Sequence, residues 1–144
     1  MDPNHPALVA ARNSWRFVQA QDKWAWLDLM AEDICVEDPI GLSPTNPDGE
    51  GIRGKAAMEQ FWDNNVTPNT VRVETHESFA AGNESAHRMT LTTTFPNGAS
   101  MEVNGIFTYR VDEAGKLTNL RGYWTLEDSE VSQPTEAHKN VQEE

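Results

Sequence analysis

Cysteine is almost missing from this chain: Cys35 is the only one in 144 residues. An intramolecular disulfide and a thiolate-rich zinc site are therefore excluded, and a reducing compartment fits. The four histidines, His5, His76, His87 and His138, are scattered, with no pair at metal-ligand spacing. Positive charge is scarce as well. Eleven basic residues face twenty-three acidic ones, a formal charge of −12. That balance lacks the basic footprint of a nucleic-acid binder and opposes docking on an anionic membrane. No run is long and apolar enough to span a bilayer. The segment Met1-Asp2-Pro3-Asn4-His5-Pro6 lacks the basic-then-apolar pattern of a signal peptide. Internal repeats and a Gly-rich phosphate loop are also missing. The expectation is a cytoplasmic, soluble protein with no metal, cofactor, nucleic-acid or membrane partner.

What is present divides into two textures. Leu8, Ala11, Trp15 and Val18 recur at helical spacing and predict a helix over roughly residues 6–21. Asp22 is placed to cap a shorter helix carrying Trp24, Leu27 and Met30. Residues 34–38 read as a short strand, and Ser43–Gly51 as a loop. Ala57, Met58, Phe61 and Trp62 mark a third helix. After Pro68 the period changes to two. Val71, Val73 and Thr75 alternate with polar residues, and Pro96-Asn97-Gly98 is a hairpin signal. Strands are expected over Ala86–Phe95, Met101–Val111 and Leu117–Leu126. Helices followed by an antiparallel meander make an α+β domain over residues 1–126. Residues 127–144 carry six acids against Lys139, lack aromatics, and read as a solvated, flexible acidic tail.

Two features carry the chemistry. Asp38 lies in Val36-Glu37-Asp38-Pro39-Ile40-Gly41, among apolar neighbours. A carboxylate held against apolar surface gains proton affinity and suits a general base, although Asp-Pro also opens turns. Strand parity then groups His87 with Met89 and Leu91, Val103 with Phe107 and Tyr109, and Leu120 with Gly122 and Trp124. If these faces point inward, a twisted meander closed by helices encloses an aromatic, greasy cavity suited to a small apolar ligand. The same residues could equally fill an ordinary core.

With these motifs the sequence resembles the steroid Δ5-isomerases, or ketosteroid isomerases, of the nuclear-transport-factor-2-like and SnoaL-like superfamily. The resemblance is carried by Asp22 through Gly41, by Gly54-Lys55-Ala56-Ala57 leading to Phe61-Trp62, and by Tyr109-Arg110-Val111 through Gly122-Tyr123-Trp124. It covers most of residues 8–126 and is nearest to isomerase-like proteins of mycobacteria. It implies a cone: a curved mixed sheet wrapped around three helices, usually a homodimer joined through the outer sheet face. It implies that Asp38 moves a proton from C4 to C6 of a 3-oxo-Δ5-steroid, with charge building on the C3 oxygen. No cofactor is implied.

The pattern also breaks. By this alignment the family's tyrosine donor falls at Ser14, its protonated aspartic acid at Phe107, and two supporting tyrosines at Met30 and Trp62. The base is kept and the usual oxyanion donors are gone, which implies a weak isomerase. Trp62 and Trp124 offer indole N–H groups, Tyr109 a phenol, and His87 a ring nitrogen as substitutes. Trp124, Phe107, Trp62, Met89, Val103 and Leu120 are expected on the cavity wall, with Tyr109, His87 and Ser14 as further pocket candidates. A non-catalytic steroid or lipid carrier on the same scaffold is the alternative from a different class. An epoxide hydrolase or polyketide cyclase ranks lower, because no second inward acid is found and Arg88, Arg110 and Arg121 face away.

Overall fold

The computed structural model describes residues 1–134. Helix α1 spans Pro6–Gln19, with proline in its first turn and the His5 side chain accepting from Ala7 N–H. It buries Ala7, Leu8, Ala10, Ala11 and Ser14. These fall within one helical stripe, as the spacing requires. Helix α2, Lys23–Asp28, is capped by the Asp22 carboxylate on Ala25 N–H and buries Trp26 and Leu27. Trp24, expected on the apolar face, is 67 % exposed. It lies beside the Lys23 ammonium instead. Met30 belongs to strand β1, Met30–Glu37, which begins four residues before the expected strand. Strand β2 is the short Ile52–Arg53, and helix α3 is Lys55–Phe61. Helix α3 runs on into a π-helical turn, Trp62–Val66.

The second half is the expected meander. Strands β3 (Thr70–Ala81), β4 (Glu84–Thr94), β5 (Ser100–Val111) and β6 (Leu117–Tyr123) pair antiparallel in sequence. Strand β1 then pairs parallel with β6, giving the order β2-β1-β6-β5-β4-β3 in one mixed sheet. Register shifts occur between Thr75 and Glu77 on β3 and between Arg110 and Val111 on β5. Such bulges bend strands and raise their twist, and the sheet curves around the helices as an open cone. The inner face and the helices share one core, with Ile34, Met58, Trp62, Phe107 and Leu117 among its most buried members.

The expected tail begins differently. Strand β5 is longer than β6, which leaves part of its edge unpaired. After a 3-10 turn at Leu126–Asp128, strand β7 (Glu130–Ser132) covers that edge opposite Ser100–Glu102. The domain therefore continues past residue 126. The rest of the expected tail, residues 135–144, lies outside the described residues. Among the described residues no helix is long and apolar enough to cross a membrane.

Candidate functional site

The open end of the cone leads to a cavity of about 360 Å³. That volume falls in the range of about 300–1,000 Å³ typical of small-molecule sites. Its wall is mostly apolar, and among the described residues Asp38 is the one carboxylate on it.

Asp38 follows directly on β1 and is held by its surroundings on both sides. Its carbonyl accepts from Thr45 Oγ1 at 2.7 Å, the next carbonyl, Pro39, accepts from Asn46 Nδ2 at 3.1 Å, and Ile40 N–H donates to Gly122 O at 3.0 Å. The Asp38–Pro39 bond is cis. Asn46 is buried, and its Oδ1 in turn accepts from Gly51 N–H at 2.8 Å. The loop after β1 is thus pinned to itself and to β6. The Asp38 carboxylate lies across β6, where Trp124 Nε1 donates to Oδ1 at 2.6 Å. Gly122 makes room for this pair. A Cβ there would meet Asp38 Oδ1 at 2.6 Å, Trp124 Nε1 at 2.9 Å and Phe107 Cε2 at 3.0 Å. Burial raises the proton affinity of Asp38 above that of an ordinary carboxylate, and the Trp124 hydrogen bond opposes the rise. Oδ2 has no hydrogen-bond partner among the described residues, so it can take a proton from a bound molecule.

Of the expected wall residues, Trp124, Phe107, Met89 and Leu120 line the cavity with Asp38. So do Tyr109 and Ser14. Three expected members do not. Trp62 is buried in the core behind the wall, its ring 5.0 Å from that of Trp26, while Phe61 takes the wall position. Val103 is buried opposite Leu91, but its shorter side chain leaves the surface there to Leu91 and Met101. His87 is 1 % exposed and lies behind Tyr109 and Trp15, at ring separations of 5.4 and 4.8 Å. Ser78 Oγ lies 2.7 Å from His87 Nδ1, and Ser85 Oγ lies 2.7 Å from Nε2. Ser85 Oγ also donates to Ala7 O at 3.3 Å. One directional chain satisfies all of this: Ser78 O–H to Nδ1, Nε2–H to Ser85, Ser85 O–H to Ala7. It requires a neutral ring, and burial lowers the His87 pKa to about 4, with the Arg12 charge adding to the effect. His87 is a satisfied core histidine.

Other members of the wall went unassigned in the sequence. Trp15 from α1 and Trp26 from α2 reach the cavity and spend their indole N–H groups inside it. Trp15 Nε1 donates to Tyr109 Oη at 2.8 Å, and Trp26 Nε1 to Ser14 Oγ at 3.2 Å. Val71, Val73, Thr93 and Phe95 extend the wall toward the β4–β5 hairpin. Their alternation was visible as period two, which is the signal that could have found them. Leu126 and the Ser43–Thr45 loop complete the mouth. Cys35 is buried, and burial raises its thiol pKa, so it is inert rather than nucleophilic. Among the described residues no cluster of His, Cys, Asp or Glu could hold a metal ion.

This arrangement of helices and curved sheet has known counterparts. The chain is 52% identical to the Δ5-3-ketosteroid isomerase of a Mycobacterium species, over 89% of this chain and 99% of that one, with a TM-score of 0.87. A Mycobacterium tuberculosis protein solved in complex with estradiol-17β-hemisuccinate is 48% identical over 88% and 98% of the two chains, with a TM-score of 0.85. A computationally designed 17-OHP binder is 45% identical over 89% and 99%, with a TM-score of 0.87. Residues 11–120 match the SnoaL-like domain. The chain belongs to the SnoaL-like domain family of the nuclear-transport-factor-2-like superfamily, alongside mycobacterial ketosteroid isomerase-like proteins.

Proposed function

We propose that this protein isomerises a 3-oxo-Δ5-steroid, with Asp38 as the base that carries the proton. The observation that supports this most is Asp38, the one carboxylate among the described residues on a mostly apolar wall, with Oδ1 tied to Trp124 and Oδ2 without a hydrogen-bond partner. The ionised carboxylate removes the C4 proton. The C–H electron pair forms the C3–C4 double bond, and the carbonyl π pair moves to the C3 oxygen. The protonated Asp38 then returns the proton to C6. The C5–C6 pair forms the new bond to hydrogen, the double bond settles at C4–C5, and the carbonyl reforms. Neither a metal nor a redox cofactor is required.

A second reading, steroid binding without turnover, is favoured by one observation: Phe107 occupies the place where the resemblance implies an acidic donor. The two readings separate cleanly. Absorbance of the conjugated enone is followed on adding a Δ5-3-ketosteroid to wild type and to Asp38→Asn. Turnover that is lost in the variant supports the isomerase. Steroid binding without turnover in either, with affinity unchanged by Asp38→Asn, supports the carrier. Epoxide opening ranks below both, since among the described residues the cavity wall includes no arginine and no second acid.

The reading includes a homodimer joined through the outer sheet face. Phe79, Ile106 and Tyr123 are exposed there, with Ile106 and Tyr123 directly paired across β5 and β6. Sedimentation equilibrium tests it, and a monomer at micromolar concentration would remove it.

A further inference from the structure

Charge that develops on a ligand oxygen in a dry cavity needs fixed hydrogen-bond donors. Most candidate donors on this wall are already committed. Trp124 N–H is spent on Asp38, Trp15 N–H on Tyr109 and Trp26 N–H on Ser14. Asn65 and Asn69 each spend one of their two amide N–H groups, on the Phe61 and Asn65 carbonyls, and Thr45 donates to Asp38 O. Trp62 and His87 do not reach the cavity.

Three hydroxyl protons on the wall have no acceptor among the described residues, those of Tyr109, Ser14 and Thr93. In the Trp15–Tyr109 and Trp26–Ser14 bonds the hydroxyl oxygen must accept, because an indole nitrogen can only donate. Neither hydroxyl has an acceptor for its own proton among the described residues. Tyr109 is 3 % exposed and Ser14 is buried, yet both line the cavity. The indoles occupy the acceptor side of each oxygen and leave the O–H directed toward whatever fills the cavity.

Position also fits. Tyr109 lies two residues beyond Phe107 on one face of β5, about 7 Å along the strand toward the closed end. Phe107 is paired with Gly122, over which the Asp38–Trp124 pair sits. The Asp38 charge is felt at Tyr109, whose phenol is held well above its ordinary pKa, chiefly by burial. The phenol therefore stays protonated as a donor. Thr93, the other free hydroxyl on the wall, lies four residues from Met89 toward the mouth, about 13 Å away.

We infer that Tyr109, with Ser14 beside it, donates the hydrogen bonds that hold the ligand's carbonyl oxygen as it gains charge, and that Trp15 is the positioning residue that aims the Tyr109 hydroxyl. This deepens the isomerase reading and rests on it for its catalytic part. The binding part stands separately, because a carbonyl oxygen bound without turnover would meet the same donors.

The test uses the full chain and a Δ4-3-ketosteroid carrying 13C at C3. Its carbonyl resonance moves downfield as it accepts stronger hydrogen bonds, whether or not turnover occurs. The expected result is a downfield shift on binding to wild type, largely lost in Tyr109→Phe and partly lost in Ser14→Ala. In Trp15→Phe, where the phenol stays but is no longer aimed, an intermediate shift is expected. In parallel, Tyr109→Phe is expected to lower kcat about 100- to 1,000-fold, with KM nearly unchanged and the pH midpoint of the base retained. If wild type does not turn over but the 13C shift depends on Tyr109, the isomerase reading falls and the donor assignment survives. A 13C shift equal in wild type, Ser14→Ala and Trp15→Phe overturns the assignment even should Tyr109→Phe fail to fold. Turnover within twofold of wild type in a folded Tyr109→Phe overturns it as well.

Discussion

Trp124 and Asp38 are joined side chain to side chain, an indole N–H on a carboxylate oxygen at 2.6 Å. The two residues come from opposite ends of the chain and meet because β1 and β6 run parallel side by side. Burial and this bond act in opposite directions on the proton affinity of Asp38: burial, the larger effect, pushes it up and the indole pulls it down.

Trp124→Phe keeps the apolar wall and removes the donor. The acidic limb of the kcat/KM profile is expected to move to higher pH, since the base must be ionised to act. A pH–rate series on wild type and variant reads this directly. An unchanged midpoint would show that the bond does not stabilise the ionised form.

Asp38→Asn is expected to abolish turnover and to stabilise the fold at neutral pH. The folded protein holds the Asp38 proton more tightly than the unfolded chain does. Stability that is full below the unfolded carboxylate pKa, about 3.9, is lost as pH rises to the elevated folded value. Each tenfold rise in proton affinity corresponds to about 1.4 kcal/mol. Urea melts of the two proteins should therefore diverge above pH 4 in favour of the variant and converge below it.

Gly122→Ala places a methyl group where Asp38, Trp124 and Phe107 already meet. Overpacking of this kind costs about 1–3 kcal/mol. A fall in turnover of more than about tenfold is expected besides, because even small misplacement of a base is costly. Full activity in a folded Gly122→Ala would show that the carboxylate works from another position.

His87 makes the opposite contribution to acid stability. It is neutral in the fold, with its pKa lowered from 6.5 to about 4, so the unfolded chain binds the extra proton between those values. Stability is full above pH 6.5 and falls as pH drops toward 4, by on the order of 3 kcal/mol. His87→Gln, which can still meet one serine, should flatten that part of the pH–stability curve. An identical slope in the variant would assign the acid loss elsewhere.

The sequence carried the place of Asp38 on the cavity wall, the helix-then-meander order and most of the inner sheet face. It did so because strand parity is rigid: once Phe107 points inward, Tyr109 must follow. Helical parity proved less binding. Trp62 was expected on the wall, but the chain passes there from α-helix to a π-helical turn, and Phe61 faces the cavity instead. The pairings of Trp15 and Trp26 were not legible either, because an indole N–H chooses its acceptor from residues brought together only by the fold. His87 looked like a pocket residue by parity alone. Two serines, one on the neighbouring strand and one two residues away on its own, decide otherwise. The acidic composition after Trp124 hid a strand, since β7 is fully exposed and needs no apolar pattern to pair.

That small strand has a consequence for traffic. β7 is three residues long and pairs with Ser100–Glu102, while Met101 on the same stretch and Leu126 just before β7 both border the opening. The portal is thus framed by a three-residue strand, whereas Tyr109 lies on the twelve-residue β5, Ser14 on α1 and Asp38 directly after β1. In the proposed reading, substitutions at this rim act on ligand entry and exit, and substitutions in the buried core act on the stability of the fold.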